Sequence, residues 1–140
     1  MYEILIIITS VMAALLTQEL NISRKWGAVK ASAFVSLLFG LFFFFLSNLP
    51  SFSNFEIPIY VHPLLSPAAM GASFVAMSSE RTIPNRKWMF IGGVFFAVLF
   101  ILAKPTLDGY GGLLGTGACF SVVMTVGIIR LYDVLKKGPF

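Results

Sequence analysis

Few residues in this 140-residue chain can do chemistry, and nearly all of them are uncharged. Ser66, Ser73, Thr116 and Tyr110 bring hydroxyls, His62 is the single imidazole, and Arg130 is a cation near the C-terminal end. One histidine cannot supply bis-histidine haem ligation or a zinc site. One cysteine, Cys119, excludes an internal disulfide and a multi-thiolate metal centre, and is expected as a small packing residue in a helix. No Ser–His–Asp set and no carboxylate pair falls in one credible place, so the chain reads as a non-enzyme without cofactor or metal. What remains is non-covalent: hydroxyls, backbone donors and helix ends arranged around a small solute.

The segments that would position these groups are irregular. Residues 57–79, IPIYVHPLLSPAAMGASFVAMSS, are apolar enough to enter a bilayer but contain Pro58, Pro63 and Pro67. Proline removes a backbone donor and clashes with the turn before it, so an unbroken helix is not expected. Ser66-Pro67 reads as an N-cap followed by proline at the first helical position, which predicts a short helix over residues 67–79 that begins inside the membrane. Residues 108–117 carry Gly109, Gly111, Gly112, Gly115 and Gly117. Glycine costs a helix up to about 1 kcal/mol relative to alanine, so a regular helix is predicted only from Thr116 to Leu135.

Both short helices would then point their N-termini toward the membrane middle. A helix N-terminus offers unpaired N–H groups and about half a positive charge. Two of them converging would bind an anion or a neutral polar solute. The residues placed at that site are Ser66, Pro67, Gly71, Ser73, Tyr110, Gly115, Thr116 and Gly117, with His62 and Arg130 at a gate or mouth. Simpler accounts exist for each. Glycines and small residues permit close helix packing, His62 is a solvated interfacial histidine, and Arg130 snorkels or pairs with Asp133.

Composition fixes the class. The chain is 58% hydrophobic and 11% charged, with a mean hydropathy of +0.90, whereas a soluble domain carries about 25% charged residues. It is an all-α, polytopic transmembrane bundle forming one integral membrane domain over residues 1–140. A spanning helix needs about 20 apolar residues, and five stretches qualify: residues 2–20, 26–49, 57–79, 88–103 and 109–135, the third and fifth broken by proline and glycine. Glu3 stands where a signal peptide would be basic, so the first stretch is read as a retained span. In the second, residues 41–46, LFFFFL, are expected to face lipid, and the region of Ala31, Ala33 and Ser36 to pack inward.

Charge supports this count. With alternating crossings, Arg24, Lys25, Lys30, Arg81, Arg86, Lys87, Arg130, Lys136 and Lys137 share one side, and only Lys104 lies on the other. The positive-inside rule puts that side in the cytoplasm of a bacterial inner membrane, with the N-terminus outside. The net charge of +4 is spread over helix ends and is no nucleic-acid signature. No Asp or Glu lies deep in a span, which argues against a proton or cation path and leaves anion or neutral-solute passage open.

Weak repetition is also visible. Arg24-Lys25-Trp26 matches Arg86-Lys87-Trp88, and Met70-Gly71-Ala72-Ser73-Phe74 echoes Thr116-Gly117-Ala118-Cys119-Phe120. This suggests two parallel hairpins with one added span. Gly71-Ala72-Ser73-x-Val75, followed by Pro84-Asn85-Arg86 and Gly92-Gly93, resembles the HPP family of small membrane proteins. The resemblance covers residues 71–93, and the family's His-Pro-Pro is absent: His62-Pro63 precedes the Gly-Ala-Ser helix, and Gly111-Gly112-Leu113 stands where the motif is expected. Some members are implicated in nitrite transport, so the resemblance implies an anion path.

Two functions follow as expectations. The first is a small channel or transporter, homo-oligomeric, with its path between the third and fifth spans. The second is a non-catalytic accessory or assembly subunit of a larger membrane complex. A polar cavity at the two helix starts would favour the first, and dry packing of glycine against helix the second.

Overall fold

The computed structural model describes residues 2–48, 62–78, 81–107 and 112–137. They form five helices: α1 (Tyr2–Gln18), α2 (Ala28–Asn48), α3 (His62–Val75), α4 (Arg86–Leu107) and α5 (Leu113–Lys137). Four are long and apolar enough to cross a bilayer, and α3 is a shorter apolar helix. The chain is an integral membrane helical bundle. At 1.5 Å per residue the 14 residues of α3 span about 21 Å, short of the ~30 Å hydrocarbon thickness.

α4 runs antiparallel to α1, α3 and α5, and α2 antiparallel to α3, as three sets of contacts show. Glu19 of the α1 end pairs with Arg86 at the start of α4, while Val11 lies against Gly93. Ser32 meets Ser73 and Gly40 meets Ser66, which sets the α2–α3 register. Val75 and Thr125 both approach Gly92, while Trp88 packs edge-on to Tyr132 with ring centroids 5.7 Å apart. The ends of α1, α3 and α5 therefore lie with the starts of α2 and α4. This basic end carries Arg24, Lys25, Lys30, Arg81, Arg86, Lys87, Arg130 and Lys136.

The core is built largely of alanine, including Ala13, Ala14, Ala68, Ala69, Ala72 and Ala97, all fully buried. Lipid tails are as apolar as leucine, so burial of large apolar groups drives little here. Close backbone approach, which small residues permit, supplies the dispersion energy instead. Phe96 is the largest fully buried side chain, 1% exposed. The phenylalanine run of α2 mostly faces outward, with Leu41, Phe42, Phe44 and Phe45 exposed; Ala31 is buried, but Ala33 is exposed rather than inward.

Four boundaries, in three helices, depart from the sequence reading. α3 starts at His62, not at Pro67, and ends at Val75 rather than Ser79, so Ser66 is no N-cap and Pro67 lies inside a continuous helix. Pro63 falls in the first turn, where an N–H has no partner to lose. Pro67 removes one interior bond, which neighbouring helices make tolerable in a membrane span. The α2–α3 register also places the α3 start beside Phe43 and Phe44, in the outer third of α2, rather than at mid-membrane. α5 begins one turn earlier than Thr116, with the Thr116 N–H donating to the Gly112 carbonyl at 2.9 Å. α4 continues through Pro105 to Leu107.

α1 and α2 are joined at the basic end by a π-helical segment, Glu19–Ser23, and a turn. Lys25 there has φ 52°, and Gly27 has φ 87°. The left-handed region is open to glycine but uncommon for lysine. The Gly27 carbonyl then accepts from the Ala31 N–H at 3.0 Å, the first bond of α2.

Candidate functional site

The seam between α3 and α5, where a solute path was expected, is closed by a side chain of α4. The Phe96 ring lies between Gly71 and Gly117. A Cβ added at Gly71 would sit 2.8 Å from Phe96 Cε2 and 2.9 Å from Cε1, closer than real carbons approach. A Cβ at Gly117 would meet the same ring at 3.4 Å, an ordinary contact. Phe100 stacks on Phe96 at 6.0 Å, one helical turn further along. The ring tip faces Gly71 and the adjoining edge faces Gly117, and neither contact offers a hydrogen-bond donor or acceptor to a solute.

The hydroxyls face elsewhere. Ser73 is fully buried and turned toward α2, 2.8 Å from Ser32 Oγ and 3.1 Å from Ser36 Oγ. Its own proton goes to the Met70 carbonyl at 2.7 Å. A serine hydroxyl has one proton and two lone pairs, so Ser73 donates to Met70 and accepts from Ser32 and Ser36. Its capacity is used, and the cluster ties α2 to α3. Ser66 lies on the same face, with its Oγ 3.6 Å from where a Cβ of Gly40 would be. Ser32, Ser36 and Gly40 recur every four residues and line one stripe of α2.

Thr116 is exposed and bonds back into its own helix, donating toward the Gly112 carbonyl at 2.9 Å and the Leu113 carbonyl at 3.2 Å. With Gly117 it borders an apolar groove of about 220 Å³ between α4 and α5, walled by Leu99, Phe100 and Phe120. Gly115 faces outward with no atom within 4 Å of a Cβ position. Pro67 is half-buried in the second turn of α3. His62 opens α3, but its side chain and all of Tyr110 fall outside the described residues. Arg130 and Asp133 are exposed and form no ion pair with each other, and Cys119 is exposed on α5 rather than packed.

The expected site residues that are described fall into three separate places. Gly71 and Gly117 share a ring, Ser66 and Ser73 share the α2 seam, and Gly115, Thr116 and Arg130 lie on the outside of α5. Sequence reasoning missed Phe96 and Ser32, whereas Ser36, expected to pack inward, does so against Ser73. The four-residue spacing of Ser32, Ser36 and Gly40 was a readable signal, whereas nothing distinguishes Phe96 among 15 phenylalanines. Two buried polar atoms on α1, Ser10 Oγ and Gln18 Oε1, have no hydrogen-bond partner.

The glycines divide into two kinds. Gly71, Gly92, Gly93 and Gly117 face neighbouring helices, and a Cβ at Gly93 would lie 3.1 Å from the Val11 backbone. Gly112, Gly115 and Gly127, all at the start of or within α5, have nothing within 4 Å. The α5 helix is also the least covered of the four long ones: 17% of its most apolar stretch is buried, against 39% for α1. No protein-family model, no curated protein and no solved structure matches this chain.

Proposed function

We propose that this chain is a non-catalytic accessory or assembly protein of the membrane, which acts by packing the outer face of α5 against another membrane helix. The observation that carries this reading is the empty space beside Gly112, Gly115 and Gly127. Glycine inside a helix costs up to about 1 kcal/mol relative to alanine, and at Gly115 and Gly127 no contact among the described residues offsets it. Small residues spaced along a helix let a second helix approach closely, and in lipid such contacts drive association. Gly115, Cys119, Val123 and Gly127 follow one another at four-residue intervals on that face and are all exposed. The basic end is assigned to the cytoplasm of a bacterial inner membrane by the positive-inside rule.

The transport reading, with a small anion or neutral solute as cargo, needs a path formed between copies. Within one chain the ring of Phe96 occupies the α3–α5 seam and the serines of α3 are engaged with α2. The implied likeness to HPP proteins adds an anion as the cargo of such a path.

Cys119 provides the test, because it is the one cysteine and lies on the proposed contact face. Mild oxidation of native membranes is expected to give a cross-linked species, either twice the 15.4 kDa chain mass or that of the chain plus one partner. Gly115→Leu should abolish it without unfolding the protein. A chain that stays uncross-linked and monomeric in mild detergent while Cys119 is open to thiol reagents would defeat the assembly reading. Flux of a small anion into proteoliposomes would restore transport.

A further inference from the structure

On the basic side of the Val11–Gly93 contact, α1 and α4 leave a groove of about 600 Å³. Its walls are Met12, Leu15, Leu16, Phe90 and Ile91, and Met12, Leu16 and Phe90 are exposed to what surrounds the protein. Three charged residues, Glu19, Arg86 and Lys87, stand at its mouth. From Met12 to Glu19 the groove runs about 10 Å along α1, roughly the outer third of the ~30 Å hydrocarbon layer. An apolar slot at that depth, closed by charges at the interface, has the polarity profile of one phospholipid.

We propose that this groove is a binding site for an acidic phospholipid, with an acyl chain against Leu16 and Phe90 and the phosphate held by Arg86 and Lys87. The charges at the mouth decide the headgroup. Two cations and one carboxylate leave a net charge of +1, which an anionic lipid neutralises and a choline headgroup does not. Glu19 engages one end of the Arg86 guanidinium, and a guanidinium has five N–H donors, so others remain for phosphate. Lys87 is exposed and adds a mobile ammonium. Basic residues at the interface between membrane helices select anionic headgroups in this way. The second groove, between α4 and α5, has no charged residue in its lining. Of these two grooves, the α1–α4 one alone carries charges that discriminate among headgroups. This site does not depend on how α5 is used.

Native mass spectrometry of the full chain, released from mild detergent with added phosphatidylglycerol or phosphatidylcholine of identical chains, tests the proposal. One phosphatidylglycerol should be retained with about a fivefold preference over phosphatidylcholine, the effect of one interfacial cation. Lys87→Gln should bring the preference close to unity, while Lys136→Gln, at the same end on α5, should leave it intact. Leu16→Trp, which fills the slot, should lower retention of both lipids, and glycerophosphoglycerol without acyl chains should not be retained. Equal retention of the two lipids overturns the proposal. So does an equal loss of preference in Lys87→Gln and Lys136→Gln, which would mean a diffuse surface charge rather than a site.

Discussion

The inward and outward glycines of this protein have the same chemistry and opposite surroundings. Gly71 gives its missing Cβ volume to the Phe96 ring, and Gly93 lets α1 and α4 come within backbone contact. Gly115 and Gly127 leave the same volume empty. In water an inward residue is recognised by being apolar. In lipid both surroundings are apolar, and the useful distinction is between space that is filled and space that is vacant. The filled kind explains why the five helices hold together. The vacant kind is what the assembly proposal sets out to explain.

The sharpest way to break this comparison is at its centre. Phe96→Ala should remove the ring shared by Gly71 and Gly117 and cost about 3 kcal/mol, read from unfolding in mixed detergent micelles. A loss under half that would mean that the surrounding helices collapse into the gap. Gly71→Ala comes next, at about 2 kcal/mol, because a Cβ there overlaps the Phe96 ring, which must give up its packing and shift toward the groove beside Gly117. Adding Phe96→Leu to Gly71→Ala should recover part of that loss; no recovery would place the strain elsewhere. Ser73→Ala leaves the buried hydroxyl of Ser32 and the half-buried one of Ser36 without their acceptor and should cost about 1 kcal/mol, in line with polar contacts between membrane helices. The smallest effect is expected at Gly115→Ala, where folding stability should stay level or rise by up to about 1 kcal/mol while Cys119 cross-linking weakens. Equal destabilisation by Gly71→Ala and Gly115→Ala would erase the distinction altogether.

The two repeated motifs show how far sequence resemblance and position diverge. Gly71-Ala72 and Gly117-Ala118 are equivalent in space, since each glycine faces Phe96 and each alanine is buried. One residue later the match ends: Ser73 is fully buried, whereas Cys119 is exposed. Trp26 and Trp88 likewise both stand at the basic end, yet the Trp26 ring meets Phe34 of α2 edge-on while Trp88 reaches across to Tyr132 of α5. α3 is enclosed by other helices and α5 is peripheral, so one motif serves two environments.

Across residues 71–78 and 81–93, α3 and α4 come into close contact. Ile83 is fully buried in the turn, and Gly92 approaches both Val75 and Thr125, a Cβ there lying 3.2 Å from each. Packing alone accounts for the small residues of this stretch. An anion path would require something more, and the described residues supply no polar opening at Gly71 or Ser73.

Sequence alone determined the membrane class, the presence of five helices, and the gathering of basic residues at one end. These depend on length, mean hydropathy and local charge, quantities that a helix carries whatever it packs against. Only the tertiary structure decided that Pro67 lies within a helix, that Ser73 answers to α2 rather than α5, and that one phenylalanine fills the seam. The physical reason is the solvent. Lipid is as apolar as the core, so hydropathy does not mark which face of a membrane helix is inside. A proline break, too, depends on whether neighbouring helices support the lost bond.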